Sequence, residues 1–313
     1  MIPGDLIDFE NAQGHRLRGV LHEPDPRNAR GVCVLLLSPG IKGRVGPHRL
    51  YLKLAARLVP MGFHVLRFDY HGLGDSEGEL SERTLADMYN SIQAGRYIGD
   101  TVAAMDWMQR THGIERFVGS GLCGGSISAL VTAESDRRIE CLLGIGLPTV
   151  LEGGPENWAR ILTQQQIESL RGSYLRKLLD PKSWARLLSG KSEYKVIWRI
   201  LRDRALRRPR TAAADAAPAK AGVDSTNPRF ASAFLSMLRS NRPMLLLFSG
   251  ADRLHGQFQE NFEAHHAERL APFKHLYEVH VVANANHVLS DRAWVAEALQ
   301  VASRWLDARY PPA

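Results

Sequence analysis

Short apolar runs that stop at glycine or proline recur along this chain, and segments with helical spacing lie between them. "GVCVLLLSPG" from Gly31, "IERFVGSGLCGG" from Ile114, "IECLLGIGLP" from Ile139 and "RPMLLLFSGAD" from Arg242 are apolar without alternation. Runs of that length and make-up are what a strand covered on both faces requires. Between them, "HRLYLKLAARLVPMG" places Leu50, Leu54 and Leu58 at helical spacing ahead of Gly62, and both "SIQAGRYIGDTVAAMDWMQRTHG" and "SISALVTAES" carry a helical rhythm. Strands alternating with helices in this way predict a mostly parallel central sheet flanked by helices, an α/β fold.

The two ends of the pattern are read differently. "DLIDFENAQGHRLRGVLHEP" alternates around "NAQGH", which predicts an antiparallel hairpin as lead-in. From Leu151 to Asn241 no buried-strand run occurs, and "NWARILTQQQIESLRGSYLRKLL", "SWARLL" and "YKVIWRILRDRAL" read as amphipathic helices. "TAAADAAPAKAGVDSTNPR" in the same region has no apolar period and reads as a loop or flexible connection. The expected organisation is a core over 1–150, a helical cap inserted over 151–241, and the rest of the core over 242–313.

Composition removes several function classes. The net charge is +7, from 40 Lys and Arg against 33 Asp and Glu, and much of the excess lies between Arg160 and Arg210 on predicted helices. Neither a nucleic-acid motif nor interleaved aromatics accompany it, so it reads as solvated helix faces and no nucleic-acid partner is expected. The absence of a long apolar run, and of a basic leader in "MIPGDLIDFE", predicts neither membrane insertion nor export, hence a cytoplasmic location. The three cysteines, Cys33, Cys123 and Cys141, lack C-x-x-C spacing, which argues against a disulfide framework and a zinc site.

Cys123 stands apart from the other two. Gly121, Leu122, Cys123, Gly124 and Gly125 fit G-x-C-x-G, a nucleophile at a tight turn between a predicted strand and a predicted helix. The turn closes only if neighbouring side chains are small, and it aims a helix N-terminus at the thiol, which favours a thiolate and a developing oxyanion. Gly124 would lend its backbone N–H to that oxyanion. Ser126 and Ser128 lack the glycine flanks and fall inside the helix.

With this motif on the page, the chain resembles the α/β-hydrolase superfamily over nearly its whole length. The "LLLSPG" strand end, the "RFDYHGLGDSEG" loop, the elbow, the "SGADR" turn and the "NANH" turn occur in the family's order. The "DxxGxGxS" pattern is similar to the serine-aminopeptidase and lysophospholipase branch, and "GLCGG" resembles hydrolases associated with the exosortase system. Two departures are visible: Cys123 replaces the usual serine, and Ser38, Pro39 and Gly40 replace the usual His-Gly of the oxyanion loop. Dienelactone hydrolases and polyester synthases of the superfamily also carry cysteine at the elbow.

The family's chain order is nucleophile, acid, histidine. Asp252 follows a buried strand, at the edge where ligand sites of open sheets gather, and His287 follows the strand "YEVHVVANAN". They are the expected orienting acid and base for Cys123. His255 is the rival base. Asp69 and His71, both in the glycine-rich loop, read as structural. The resemblance makes the backbone N–H of Ile41 the second oxyanion donor.

The implied reaction is cleavage of a carboxylic ester or thioester, on a small-molecule or carrier-bound acyl substrate, through an acyl group on Cys123. Neither metal nor organic cofactor is required. The cap would set the substrate, with Trp158, Leu162, Trp184 and Trp198 as lining or packing residues. Rival readings are an acyltransferase fed by a thioester of a carrier protein or coenzyme A, a peptidase, and a non-catalytic binding protein on the same fold.

Overall fold

The hairpin forms where the alternation places it. β1 (Asp5–Glu10) and β2 (Arg16–His22) pair antiparallel, and the turn between them closes because the Asn11 side-chain oxygen accepts the N–H groups of Gln13 and His15. The structure is a computed structural model that describes residues 2–82, 84–151 and 226–312. Six further strands follow: β3 (Val32–Leu37), β4 (His64–Phe68), β5 (Arg116–Leu122), β6 (Ile139–Ile145), β7 (Met244–Ser249) and β8 (Tyr277–Val282). They build one eight-stranded sheet in the order β1-β2-β4-β3-β5-β6-β7-β8. Only the β1–β2 and β2–β4 pairs are antiparallel; β3 through β8 run parallel.

The apolar runs lack alternation because both faces of the sheet are covered. Leu35, Leu66, Phe117, Leu142 and Leu246 point into one core, and their chain neighbours Val34, Val65, Val118, Leu143 and Leu245 into the other. Each such side chain, fully buried, stabilises the fold by about 1.5–3 kcal/mol. The first core is closed by α2 (Leu85–Gln93), α3 (Ile98–His112), α4 (Gly124–Ser135) and α5 (Pro228–Arg239), and the second by α1 (Leu50–Leu58) and the C-terminal helix Arg292–Arg309.

Two boundaries differ from the sequence reading. The stretch read as one helix from Ser91 to Gly113 is broken, and the part before the break belongs to a helix that starts earlier. α2 is capped by Thr84, whose hydroxyl accepts the Asp87 N–H, and the break falls at Gly95 with φ of 102°. A side chain would be strained at that angle. The second difference is α5, which lies inside the 151–241 span assigned to the cap. Its Phe230 and Phe234 pack with Phe258 and Phe262 in the first core. α5 goes with the sheet, in the unit that joins Ser225–Ala313 to Met1–Glu152. Trp158, Leu162, Trp184, Trp198, the basic stretch and most of the alanine-rich stretch lie outside the described residues.

Among the described residues, no helix is long and apolar enough to cross a membrane.

Candidate active site

β5 carries Cys123 to the C-terminal edge of the sheet, and α4 begins at the next residue. Cys123 takes φ 53° and ψ −111°, a conformation that costs a residue with a side chain about 1–3 kcal/mol. Its N–H donates to the Ile145 carbonyl at 2.8 Å, which ties the bend to the end of β6. The glycines are required by contact. A Cβ on Gly121 would sit 2.6 Å from the Gly125 carbonyl carbon, one on Gly125 would sit 2.0 Å from the Leu37 oxygen, and one on Gly124 would sit 2.7 Å from the Gly40 nitrogen. The bend at Cys123 and the loop after β3 therefore meet backbone to backbone.

The exposure of the three thiols separates them. Cys123 is half-buried, whereas Cys33 and Cys141 are sealed in the first and second cores. Burial pushes both of those thiols well above the ordinary range. Ser126 and Ser128 are buried within α4, and the Ser126 hydroxyl donates to the Cys123 carbonyl at 2.7 Å.

The loop after β3 is fixed from below. The Ser38 hydroxyl donates to the Phe68 carbonyl at 2.8 Å, so the serine standing in place of the family's histidine anchors the loop to β4. Asp69, 1% exposed, accepts the Arg44 backbone N–H at 2.6 Å and the Asp75 N–H at 3.2 Å, and its carboxylate is bonded to the Arg44 guanidinium. It thus binds the loop after β3 to the glycine-rich loop after β4. His71 is likewise bound: its ring Nδ1 and its N–H both meet the Asp100 carboxylate, at 2.9 and 2.8 Å. Ile41 lies in the exposed turn of the first loop, and Gly124 opens α4. The first N–H groups of a helix have no partner within it.

Asp252 and His287 come together across the ends of β7 and β8. Gly250 and Ala251 donate to the carbonyls of Val282 and Ala285, so the turn with Asp252 is bonded to the segment that carries His287. His287 Nδ1–H donates to Asp252 Oδ2 at 2.5 Å, and Asp252 Oδ1 accepts the Arg253 N–H at 2.7 Å. Gly146, just past β6, makes room for the ring: with φ of 55° it is suited to glycine, and a Cβ there would lie 3.3 Å from His287 Cε1. Burial lowers the affinity of the ring for a proton, but bonds to the Asp252 carboxylate and the Cys123 sulfur outweigh it and raise the His287 pKa to about 10. His255, on the short helix α6 (Leu254–Gln257), instead packs its ring 5.5 Å from that of Phe248, and burial lowers its pKa.

The arrangement brings a half-buried cysteine, an imidazole held in one tautomer by a carboxylate, and a helix N-terminus to one edge of the sheet. It can hold a thiolate against an imidazolium and move a proton between them. Sequence reading assigned nothing to Tyr51, which on the apolar face of α1 looks like ordinary core. Its hydroxyl donates to the Leu37 carbonyl at 2.6 Å and accepts the Leu122 N–H at 2.8 Å.

The profile of the alpha/beta hydrolase family matches residues 34–298. Among solved structures, a serine hydrolase without lid from Xanthomonas campestris is similar at 12% identity and TM-score 0.54, covering 100% of this chain and 99% of that chain. An esterase from Pyrococcus furiosus is similar at 15% identity and TM-score 0.59, covering 98% and 91%. A dienelactone hydrolase from Anabaena variabilis is similar at 14% identity and TM-score 0.56, covering 98% of each chain. At these identities the likeness is one of fold. No curated protein matches the sequence.

Proposed function

The chain belongs to the alpha/beta hydrolase family, and from that premise we propose that it cleaves carboxylic esters or thioesters through an acyl group carried on Cys123. His287 is the base and proton donor, and Asp252 orients its ring. The Cys123 thiolate attacks the acyl carbon and the carbonyl oxygen takes up the electron pair as an oxyanion. The N–H groups of Gly124 and Ile41 receive that oxyanion. Collapse breaks the bond to the leaving group, which takes its proton from the His287 imidazolium. Water then gives a proton to His287 as it attacks the thioester; the carbon–sulfur bond breaks, and the thiolate and imidazolium are restored together.

The observation that carries the reading is the 2.5 Å bond from His287 to Asp252, with His287 raised to about 10 by Asp252 and by Cys123. A small-molecule or carrier-bound acyl compound is the proposed substrate. The "RFDYHGLGDSEG" loop and "GLCGG" support placement near the serine-aminopeptidase and lysophospholipase branch and the exosortase-associated hydrolases. Intact-mass spectrometry after exposure to p-nitrophenyl esters and acyl thioesters tests the proposal. An acyl mass on the wild-type chain that is missing from Cys123→Ala supports it; acylation that survives Cys123→Ala refutes it. An added alcohol or amine acceptor in the same assay separates hydrolysis from transfer.

A further inference from the structure

The last paired residues of β3 and β5 are Leu37 and Gly121. In a parallel ladder the next rung would run from the Leu122 N–H to the Leu37 carbonyl. A side chain also reaches that rung. The Tyr51 hydroxyl accepts the Leu122 N–H at 2.8 Å and donates to the Leu37 carbonyl at 2.6 Å, so one buried oxygen bonds to both ends of that rung.

The hydroxyl thus fastens both strand ends where the elbow crowds β3. Gly121 and Gly125 both approach the Leu37 oxygen so closely that a Cβ would lie 2.9 and 2.0 Å from it. Leu122, held by the hydroxyl, immediately precedes Cys123. On its other side the Tyr51 ring backs the loop after β3: a Cβ on Gly46 would lie 3.1 Å from Tyr51 Cδ1, and the Tyr51 N–H donates to the Val45 carbonyl. The side chain is 0% exposed, and burial pushes its phenol well above the ordinary range, so the O–H keeps its proton. No other residue type supplies a donor and an acceptor at that reach from α1 without bringing a charge or a shorter stem.

From these contacts we infer that Tyr51 is a positioning residue: its hydroxyl, bonded to the ends of both β3 and β5, fixes the position at which the Cys123 elbow faces the loop of Ile41. The inference rests on the acyl-transfer role proposed for Cys123. It acts through Leu122 and Leu37, without touching substrate.

The test compares Tyr51→Phe with the wild type in the full chain, counting competent sites by iodoacetamide labelling of Cys123. For Tyr51→Phe, kcat per labelled site on a p-nitrophenyl ester falls about 10-fold or more while KM stays within about twofold, because the loss falls on oxyanion geometry. Replacement of Tyr51 by 3-fluorotyrosine, which keeps the hydroxyl, restores kcat. A purely structural tyrosine would lower melting temperature and the labelled fraction while leaving kcat per labelled site unchanged, and that result overturns the inference. If Tyr51→Phe does not fold, amide exchange of the wild type decides: the Leu122 N–H should be among the slowest in the chain, and rapid exchange overturns the inference. Failure of the wild type to take an acyl group at Cys123 would instead strike the functional reading, and the exchange result would still stand by itself.

Discussion

Replacing Gly125 by alanine sets two well-understood effects against each other. Gly125 lies in the first turn of α4, where intrinsic helix propensity favours alanine by about 1 kcal/mol. The contact geometry opposes this. The added Cβ would lie 2.0 Å from the Leu37 oxygen, 2.9 Å from its carbon and 3.2 Å from the Ser38 oxygen, where ordinary contact starts at 3.4 Å. Backbone must therefore move by more than about 1 Å, beyond what flexible side chains absorb when overpacking costs about 1–3 kcal/mol. The Leu37 carbonyl is also held by Tyr51, so displacement strains a buried hydrogen bond. The expected net loss is about 3 kcal/mol or more, or roughly 6–12 °C in melting temperature for a core of this size. Gly144→Ala is the reference, since its Cβ would meet Leu246 Cδ2 at 3.4 Å and Leu142 Cδ2 and Leu147 Cβ at 3.7 Å, all ordinary contacts; it should be neutral or slightly stabilising. Guanidinium unfolding followed by circular dichroism measures both. A Gly125→Ala variant within about 0.5 kcal/mol of Gly144→Ala would refute the claim that the elbow glycines are fixed by backbone contact.

Two further outcomes follow from the same geometry. Asp252→Asn removes a carboxylate that raises His287; the imidazolium needed to protonate the leaving group is lost as pH rises through the folded pKa, so the alkaline limb of kcat/KM, near pH 10 in the wild type, should move to lower pH. In that variant kcat should fall about 100-fold or more with little change in KM, and His255→Ala should reproduce neither effect; a limb that stays in place removes Asp252 from the pair. By linkage, stability contributed by His287 is complete below its unfolded value of 6.5 and fades as pH rises through about 10. Cys123→Gly should abolish turnover yet raise stability by about 1 kcal/mol, because glycine occupies φ 53° without strain. Calorimetry showing a lowered melting temperature would contradict the strain assigned to the bend.

The parts of this protein that were legible in the sequence are those where a residue type answers to a single physical demand. β3, β5, β6 and β7 announced themselves because a sheet covered on both faces admits apolar residues at every position, as the division of Val34 and Leu35 between two cores illustrates. The elbow was legible because the approach of Gly121, Gly124 and Gly125 to neighbouring backbone excludes any side chain. The roots of Asp252 and His287 at strand ends were legible through chain order, but their 2.5 Å meeting depends on the bonding of Gly250 and Ala251 to the far turn, which no local pattern encodes. α5 was misassigned because an amphipathic face reports that a helix is buried without naming the surface that buries it. The helix break at Gly95 was hidden by the apolar rhythm on both sides of it. Tyr51 was invisible for the opposite reason: aromatic residues on a helix's apolar face are common, and only tertiary packing puts this hydroxyl between two strand ends.

The placement of the sulfur atoms makes the folded chain a counter of its own integrity. Cys33 and Cys141 lie on opposite sides of the sheet at 0% and 1% exposure, while Cys123 is only half-buried. A water-borne maleimide dye therefore meets a single target on the native protein and gains the other two of the three thiols when the sheet is laid open. The step in dye stoichiometry dates global opening, and occupancy of the first target tallies the fraction of chains whose elbow is ready to react.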